Sequence, residues 1–187
     1  FLSPPGKGAA MARILWPFAL VLAPLAAASA ELEVDHLPNE WRPFVGVSIA
    51  SKHVGAEREF QEFNPGVSLG LSREIGWRGG EWGLEGGYFQ NSYDEGSLYG
   101  GLWADWPVAA VADDLEVRLG GFFAYAEYPQ LVDEAEDFGA LTIGDFVPLI
   151  AAQAALRIDD RFALVTRFGP GIEDSDAIFT LQAFYLF

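Results

Sequence analysis

Cysteine is absent from all 187 residues, so whatever this chain folds into holds together without disulfides. Positive charge is scarce: 11 Lys and Arg stand against 27 Asp and Glu, a net charge of −16. Nucleic acid is excluded as a partner on that ground, because its phosphates would be repelled. Long apolar runs are missing too. Beyond residue 30 no stretch of about 18 consecutive apolar residues occurs, which removes helical membrane spans. Methionine occurs once, at Met11. The sequence is therefore read as starting there, with residues 1–10 as upstream extension.

What is present begins with a leader. Arg13 is followed by an apolar, alanine-rich run over 14–27 and then by Ala28-Ser29-Ala30, small at both positions that a signal peptidase reads. Residues 11–30 read as a cleaved secretory signal; Pro17 and Pro24 interrupt a run already short for an anchor. Lys7 and Arg13 lie ahead of the cleavage point, so the exported chain is more acidic still. Residues 31–43 form an N-terminal periplasmic segment, and 44–187 a single domain.

Within that domain, runs of roughly ten residues recur between Gly, Pro, Asp and Asn. Eight strands are predicted: 44–52, 67–73, 82–90, 97–106, 115–125, 147–158, 161–168 and 176–187. The last reads SDAIFTLQAFYLF, apolar on both faces of a period-2 strand, which suits a wall between lipid and lumen better than a soluble sheet edge. Eight is the smallest even count for bacterial transmembrane barrels. Connections alternate short and long, except that 107–114 is longer than the pattern allows. The fold expected is an all-β, eight-stranded antiparallel transmembrane β-barrel of the outer-membrane type.

Alternation sorts the side chains. One face collects Val45, Val47, Val67, Leu69, Leu84, Tyr88, Leu98, Leu102, Leu119 and Phe123 and is assigned to lipid, with Trp82, Trp106, Tyr125 and Phe187 as interfacial aromatics. The other carries Gly46, Ser48, Ala50, Ser68, Gly70, Gly83, Gly87, Gly101, Ala151 and Ala155. So many small inward residues predict a cavity, apolar enough for a hydrocarbon chain; relief of crowding in a tightly curved barrel is the competing reason for the glycines. Inward Glu85, Asp105, Arg118, Arg157 and Arg167 are expected to pair as a charged plug.

One constellation carries chemistry. His53 ends the first strand and Asn91-Ser92 ends the third, so strand parity puts both at one rim. A His beside a hydroxyl is the minimal pair for general-base activation in acyl transfer. Pro148 near the start of strand six and Pro170 after strand seven each remove a backbone donor, and either loosens the wall or simply bounds its strand.

His53, the segment Glu62-Phe63-Asn64-Pro65-Gly66, Leu71-Ser72-Arg73, Tyr88-Phe89-Gln90-Asn91-Ser92, Pro148-Leu149 and Phe168-Gly169-Pro170-Gly171 together resemble the outer-membrane lipid A palmitoyltransferase family. The resemblance spans most of 44–187 and implies acyl transfer from phospholipid to lipid A or a related acceptor; separately, the chain is expected to be a monomer. The resemblance also implies His53 as catalytic base, Ser92 as catalytic hydroxyl, and sideways lipid access at Pro148 and Pro170. The family's catalytic Asp falls on Asn91, an amide that can orient an imidazole but not stabilise an imidazolium by charge. The family's leading amphipathic helix has no counterpart in 31–42.

No cofactor is expected. Gly79-Gly80-Glu81-Trp82-Gly83 lacks the context of a phosphate loop, Asp133-Glu134-Ala135-Glu136-Asp137 lacks EF-hand spacing, and His36 has no evident partner. Two rival functions stay open: a non-catalytic outer-membrane barrel with a structural or surface-interaction role, and a soluble lipocalin-like carrier, which requires a polar exterior.

Overall fold

The computed structural model describes residues 41–56, 60–171 and 176–187. The expected leader and most of the expected periplasmic segment lie outside them. Eight antiparallel strands, each paired with its sequence neighbour and the first with the last, close a barrel. They are β1 (Arg42–Val54), β2 (Gly66–Ile75), β3 (Gly80–Gln90), β4 (Gly96–Ala112), β5 (Leu115–Glu127), β6 (Phe146–Ile158), β7 (Phe162–Pro170) and β8 (Ala177–Leu186). The connection from β5 to β6 holds a 3₁₀ turn, Pro129–Leu131, and a short helix, α1 (Val132–Asp137), which takes in the whole acidic stretch 133–137.

Closure gives each strand a neighbour on both sides, so along most of their length no sheet edge is left open, which is what allows strands to stand in hydrocarbon. The exterior is apolar: Leu69 and Ile150 are each 68% exposed, and Val67, Leu84, Tyr88, Leu98, Leu102, Leu119, Leu164 and Phe179 also face out. A lipocalin-like carrier would not present this face to water. No helix among the described residues is long and apolar enough to cross a membrane. The chain is a transmembrane barrel whose strands do the crossing.

The long connections, including the one from β1 to β2 and that holding α1, gather at one rim, called here the loop end; the turns at 76–79, 113–114 and 159–161 gather at the other, the turn end. The irregular spacing expected at 107–114 disappears. β4 continues through Pro107 to Ala112, absorbing the extra residues in two register shifts against β5, so the turn is as short as its neighbours. Trp41 packs on Trp82 and Trp77 on Trp106 at the turn end, as aromatic girdles do at a membrane interface.

The turn half of the lumen is filled. Arg118 Nε donates to Asp105 at 2.7 Å, Gln153 to the other oxygen of Asp105 at 3.1 Å, Arg167 to Gln153 at 3.0 Å and to Glu85 at 2.6 Å. Arg157 pairs with Glu81 at 2.7 Å, a partner that strand patterning did not single out. Tyr99 also donates to Glu85. Around this network pack Phe44, Trp103, Phe122, Val165, Phe184 and Leu186. Charges buried in a narrow lumen persist only when so paired.

The small inward residues do two different jobs. A side chain at Gly46 would collide with Phe184, at Gly70 with Phe44, at Gly83 with Trp103 and at Gly87 with Tyr99. These glycines make room for rings from neighbouring strands. They do not enclose empty space: of the two reasons open for them, relief of crowding is the one the contacts support, while Ser48, Ala50 and Ala151 of the same inward set border the cavity. The hollow lies higher, toward the loop end.

Candidate functional site

His53 reaches the lumen through an irregularity in β1. Phe44, Gly46 and Ser48 point inward, and strict alternation from them would send Lys52 in and His53 out to lipid. The β1–β8 register shifts between Ser48 and Ala50, and one extra residue reverses the phase. Beyond it Ser51 and His53 are buried and Lys52 and Val54 exposed.

The β1–β2 ladder stops at Ser48↔Gly66. Past that point the loop after β1 takes the place of a strand. Ser51 N donates to Glu62 O at 2.9 Å and to Asn64 Oδ1 at 3.0 Å, and Ser51 Oγ donates to the same Asn64 oxygen at 2.6 Å. Asn64 Nδ2 donates on to Gln90 O at 3.0 Å. Asn64 thus ties the end of β1 to the end of β3, and no motif in the sequence singled it out for this.

Ser92 sits on the tight turn that follows. Asn91 N donates to Glu95 O at 2.7 Å, and Asn91 Oδ1 accepts from Tyr93 N at 2.9 Å and Glu95 N at 3.0 Å. Its Nδ2 donates to Ser97 Oγ at 2.9 Å, and Ser97 donates to Glu127 O at 2.7 Å. Asn91 is almost wholly buried, and these bonds make it the organiser of the turn that presents Ser92. Asp94, at φ 67°, occupies the left-handed region that Asp tolerates better than most residues.

Turn and strand end meet across the barrel mouth: His53 Nε2 and Ser92 Oγ are 2.7 Å apart. Ser51 Oγ lies 3.5 Å from Ser92 Oγ. The His53 ring stacks on Phe60 with centroids 3.9 Å apart, and Phe60 meets Tyr93 edge-on. A hydroxyl within hydrogen-bond reach of an imidazole, in a partly dehydrated setting, is the arrangement of a nucleophile and its base.

Beneath the pair opens a cavity of about 210 Å³. Ser48, Ser51 and Asn64 border it on one side, Phe89, Tyr99, Phe122, Ala126 and Tyr128 on another, and Pro148 to Ala151, Gly169, Pro170, Ile178 and Leu181 form its wall, with Arg167 and Gln182 at the floor. Burial, with a smaller contribution from nearby Tyr93, holds the Tyr128 phenol above its ordinary pKa, so it is a neutral hydroxyl at working pH.

The wall is discontinuous where both prolines lie. Among the described residues the β6–β7 ladder ends at Ala152↔Phe168, so Phe146 to Ala151 have no register partner on β7, nor Gly169 and Pro170 on β6. The two strands stay close there: a Cβ on Gly169 would stand 3.9 Å from that of Ala151. Contact without a ladder is a seam that can part at low cost. The seam borders the cavity directly. No group of three metal-ligating side chains occurs among the described residues.

No family model matches this chain, and no curated protein does. Several solved barrels are similar to it. A de novo designed transmembrane β-barrel is 18% identical over 81% of this chain and 98% of the design, with a TM-score of 0.41. The N-terminal β-barrel domain of Pseudomonas aeruginosa OprF is 11% identical over 78% of this chain and 97% of that domain, at 0.43. Yersinia pestis outer membrane protein Ail is 14% identical over 79% of this chain and all of its own, at 0.38.

Proposed function

We propose that this chain is an exported acyltransferase of the Gram-negative outer membrane, its loop end facing outward, which moves an acyl chain from a phospholipid to lipid A or a related acceptor. The observation that carries the reading is the 2.7 Å contact of His53 Nε2 with Ser92 Oγ, next to Ser51, which borders a largely apolar cavity and lies 3.5 Å from Ser92. An acyl chain slides between β6 and β7 at Pro148 and Pro170 and lies in the cavity with its ester at the pair.

His53 takes the Ser92 proton as Ser92 Oγ bonds to the ester carbonyl carbon. The bond from that carbon to the glycerol oxygen breaks, and His53 returns the proton to the departing lysophospholipid. The acceptor hydroxyl then attacks the acyl-serine, again giving its proton to His53, which passes it to the released Ser92. The likeness to lipid A palmitoyltransferases supports this reading through His53, Ser92 and the two prolines. Asn91 departs from it, because its amide is committed to the turn.

That commitment favours a second reading, a non-catalytic barrel with a structural or surface role. Purified protein in vesicles of phospholipid and lipid A distinguishes the two. Transfer yields lysophospholipid and a matching amount of lipid A heavier by one acyl chain. Unchanged lipids leave the non-catalytic reading standing.

A further inference from the structure

The connection from β5 to β6 carries an apolar stretch that the barrel does not bury. Phe138 is 85% exposed, Leu141 75% and Ile143 59%, so the first two stand out further than even Leu69 and Ile150 of the lipid-facing wall. From Phe138 to Gly144 no residue is charged, whereas α1 before it holds Asp133, Glu134, Glu136 and Asp137, and Asp145 follows it. Water penalises such a surface on an aqueous loop, and patches of this kind mark contact with a partner or a membrane.

The stretch is held in place. At the end of α1, Phe138 N donates to Glu134 O at 3.1 Å, Gly139 N to Glu136 O at 2.8 Å and Ala140 N to Ala135 O at 2.9 Å. Gly139, at φ 77°, and Gly144, at φ 60°, take left-handed bends near its two ends. Thr142 Oγ1 donates to Glu136 at 2.6 Å, and Ile143 bridges Phe146. A backbone bonded in this way keeps the apolar side chains outside instead of letting them fold away.

Its position picks the occupant. Tyr125 points outward from β5, between the inward and fully buried Ala124 and Ala126, and its hydroxyl donates to Leu141 O at 3.1 Å. The Tyr125 ring meets Phe123 edge-on, and Phe123 pairs with Ile150 across β5 and β6. Those two residues belong to the lipid-facing wall, and two steps of ~3.3 Å place Tyr125 about 7 Å from them along the strand, toward the loop end. The phenol ties the stretch to the outside of the barrel at the margin of the apolar belt, where tyrosine is enriched in membrane proteins. The apolar surface of the stretch thus continues that of the wall.

We propose that residues 138–143 insert into the leaflet around the loop end and anchor the α1 connection to it, with Phe138, Leu141 and Ile143 at the boundary of headgroups and acyl chains and the acidic residues of α1 in water. The occupant of this surface is lipid. The claim goes beyond the catalytic reading and stands whether or not His53 and Ser92 react. Val132 and Ala135 of α1 pack against the cluster of Ala126, Tyr128, Leu131 and Val147, of which Ala126 and Tyr128 border the cavity, so the anchor also ties the cavity's rim to the leaflet.

The absence of cysteine makes single-cysteine variants clean probes. Phe138→Cys, Leu141→Cys and Asp133→Cys barrels are folded into phosphatidylcholine vesicles and treated with a charged, membrane-impermeant maleimide. All three positions are exposed on the protein itself and belong to one connection, so vesicle orientation affects them alike and only their surroundings separate them. Positions 138 and 141 are expected to react at least about tenfold more slowly than 133, because a thiol among lipids neither meets the reagent nor ionises readily. A polarity-sensitive fluorophore on each thiol then identifies the cover. Emission at 138 and 141 is expected to shift to shorter wavelength and to be quenched by lipid carrying a nitroxide near its headgroup, as from a depth of about 5–10 Å, while 133 shows neither effect. Equal reaction rates at the three positions overturn the proposal. So does protection of 138 and 141 without quenching by lipid, the result expected of a second copy or another protein. The two positions are separate probes, so if one variant does not fold the other decides.

Discussion

The turn half and the loop half of this barrel are made by the same strands, yet the space left among the inward side chains differs tenfold, an open polar hollow of about 450 Å³ at the turn rim aside. Between Phe44, Trp103, Gln153 and Phe184 about 20 Å³ remains open, whereas the hollow under His53 and Ser92 holds about 210 Å³. The difference comes from what points inward. Below, aromatic rings lie over glycines and six charged residues pair in the lumen; above, Ala50, Ala126, Ala151 and Gly169 leave the space unfilled. The ladders follow the same division, for the β1–β2 and β6–β7 pairings both give out in the loop half. The solid half supplies the stability that lets the other half stay hollow and its seam stay loose.

Breaking the solid half has the largest expected effect. Asp105→Ala leaves Arg118 buried without its main partner and is expected to cost about 3–5 kcal/mol, read from the urea midpoint of barrel folded in lipid vesicles. Replacing both members together by Asp105→Leu and Arg118→Met is expected to recover most of that loss. A single variant within about 1 kcal/mol of wild type would mean that the plug does not carry the fold.

Closing the seam comes next. Because the chain has no cysteine, Ala151→Cys with Gly169→Cys makes a single bridgeable pair, and a Cβ separation of 3.9 Å suits a disulfide. Oxidation is expected to cut acyl transfer at least about tenfold, and reduction to restore it, with the barrel folded throughout. Transfer indifferent to the bridge would rule out access between β6 and β7.

Asn91→Asp has the smallest effect. A carboxylate keeps the two backbone bonds but loses the donor that meets Ser97, so a cost of about 1 kcal/mol and no gain in transfer are expected. A marked gain in transfer would show that position 91 acts on His53.

Much of this contrast was legible in the sequence, because strand alternation in a thin barrel is a direct readout of its two environments. All eight strands fall within a few residues of their expected places apart from the turn-end part of β4, and Glu85, Asp105, Arg118 and Arg167 are buried as the pattern requires. What escaped was whatever depends on a break in alternation. A bulge leaves no mark in composition, so the phase reversal after Ser48 that brings His53 inward was invisible, as was the continuation of β4 past Pro107. The glycines left two reasons open because a missing side chain looks the same whether its space is empty or holds a ring from the next strand. Asn64 and Asn91 organise the mouth through hydrogen bonds to backbone, and residue type alone does not reveal such bonds.

The central claim is that the hollow half performs acyl transfer through His53 and Ser92. Its most direct test is the mass of lipid A from Gram-negative cells that lack such an enzyme and express this chain. The account expects a species heavier by one acyl chain with the wild type, reduced about 10²- to 10⁴-fold by His53→Ala at equal amounts of folded barrel. Lipid A of unchanged mass, or a heavier species that persists undiminished in His53→Ala, would contradict it.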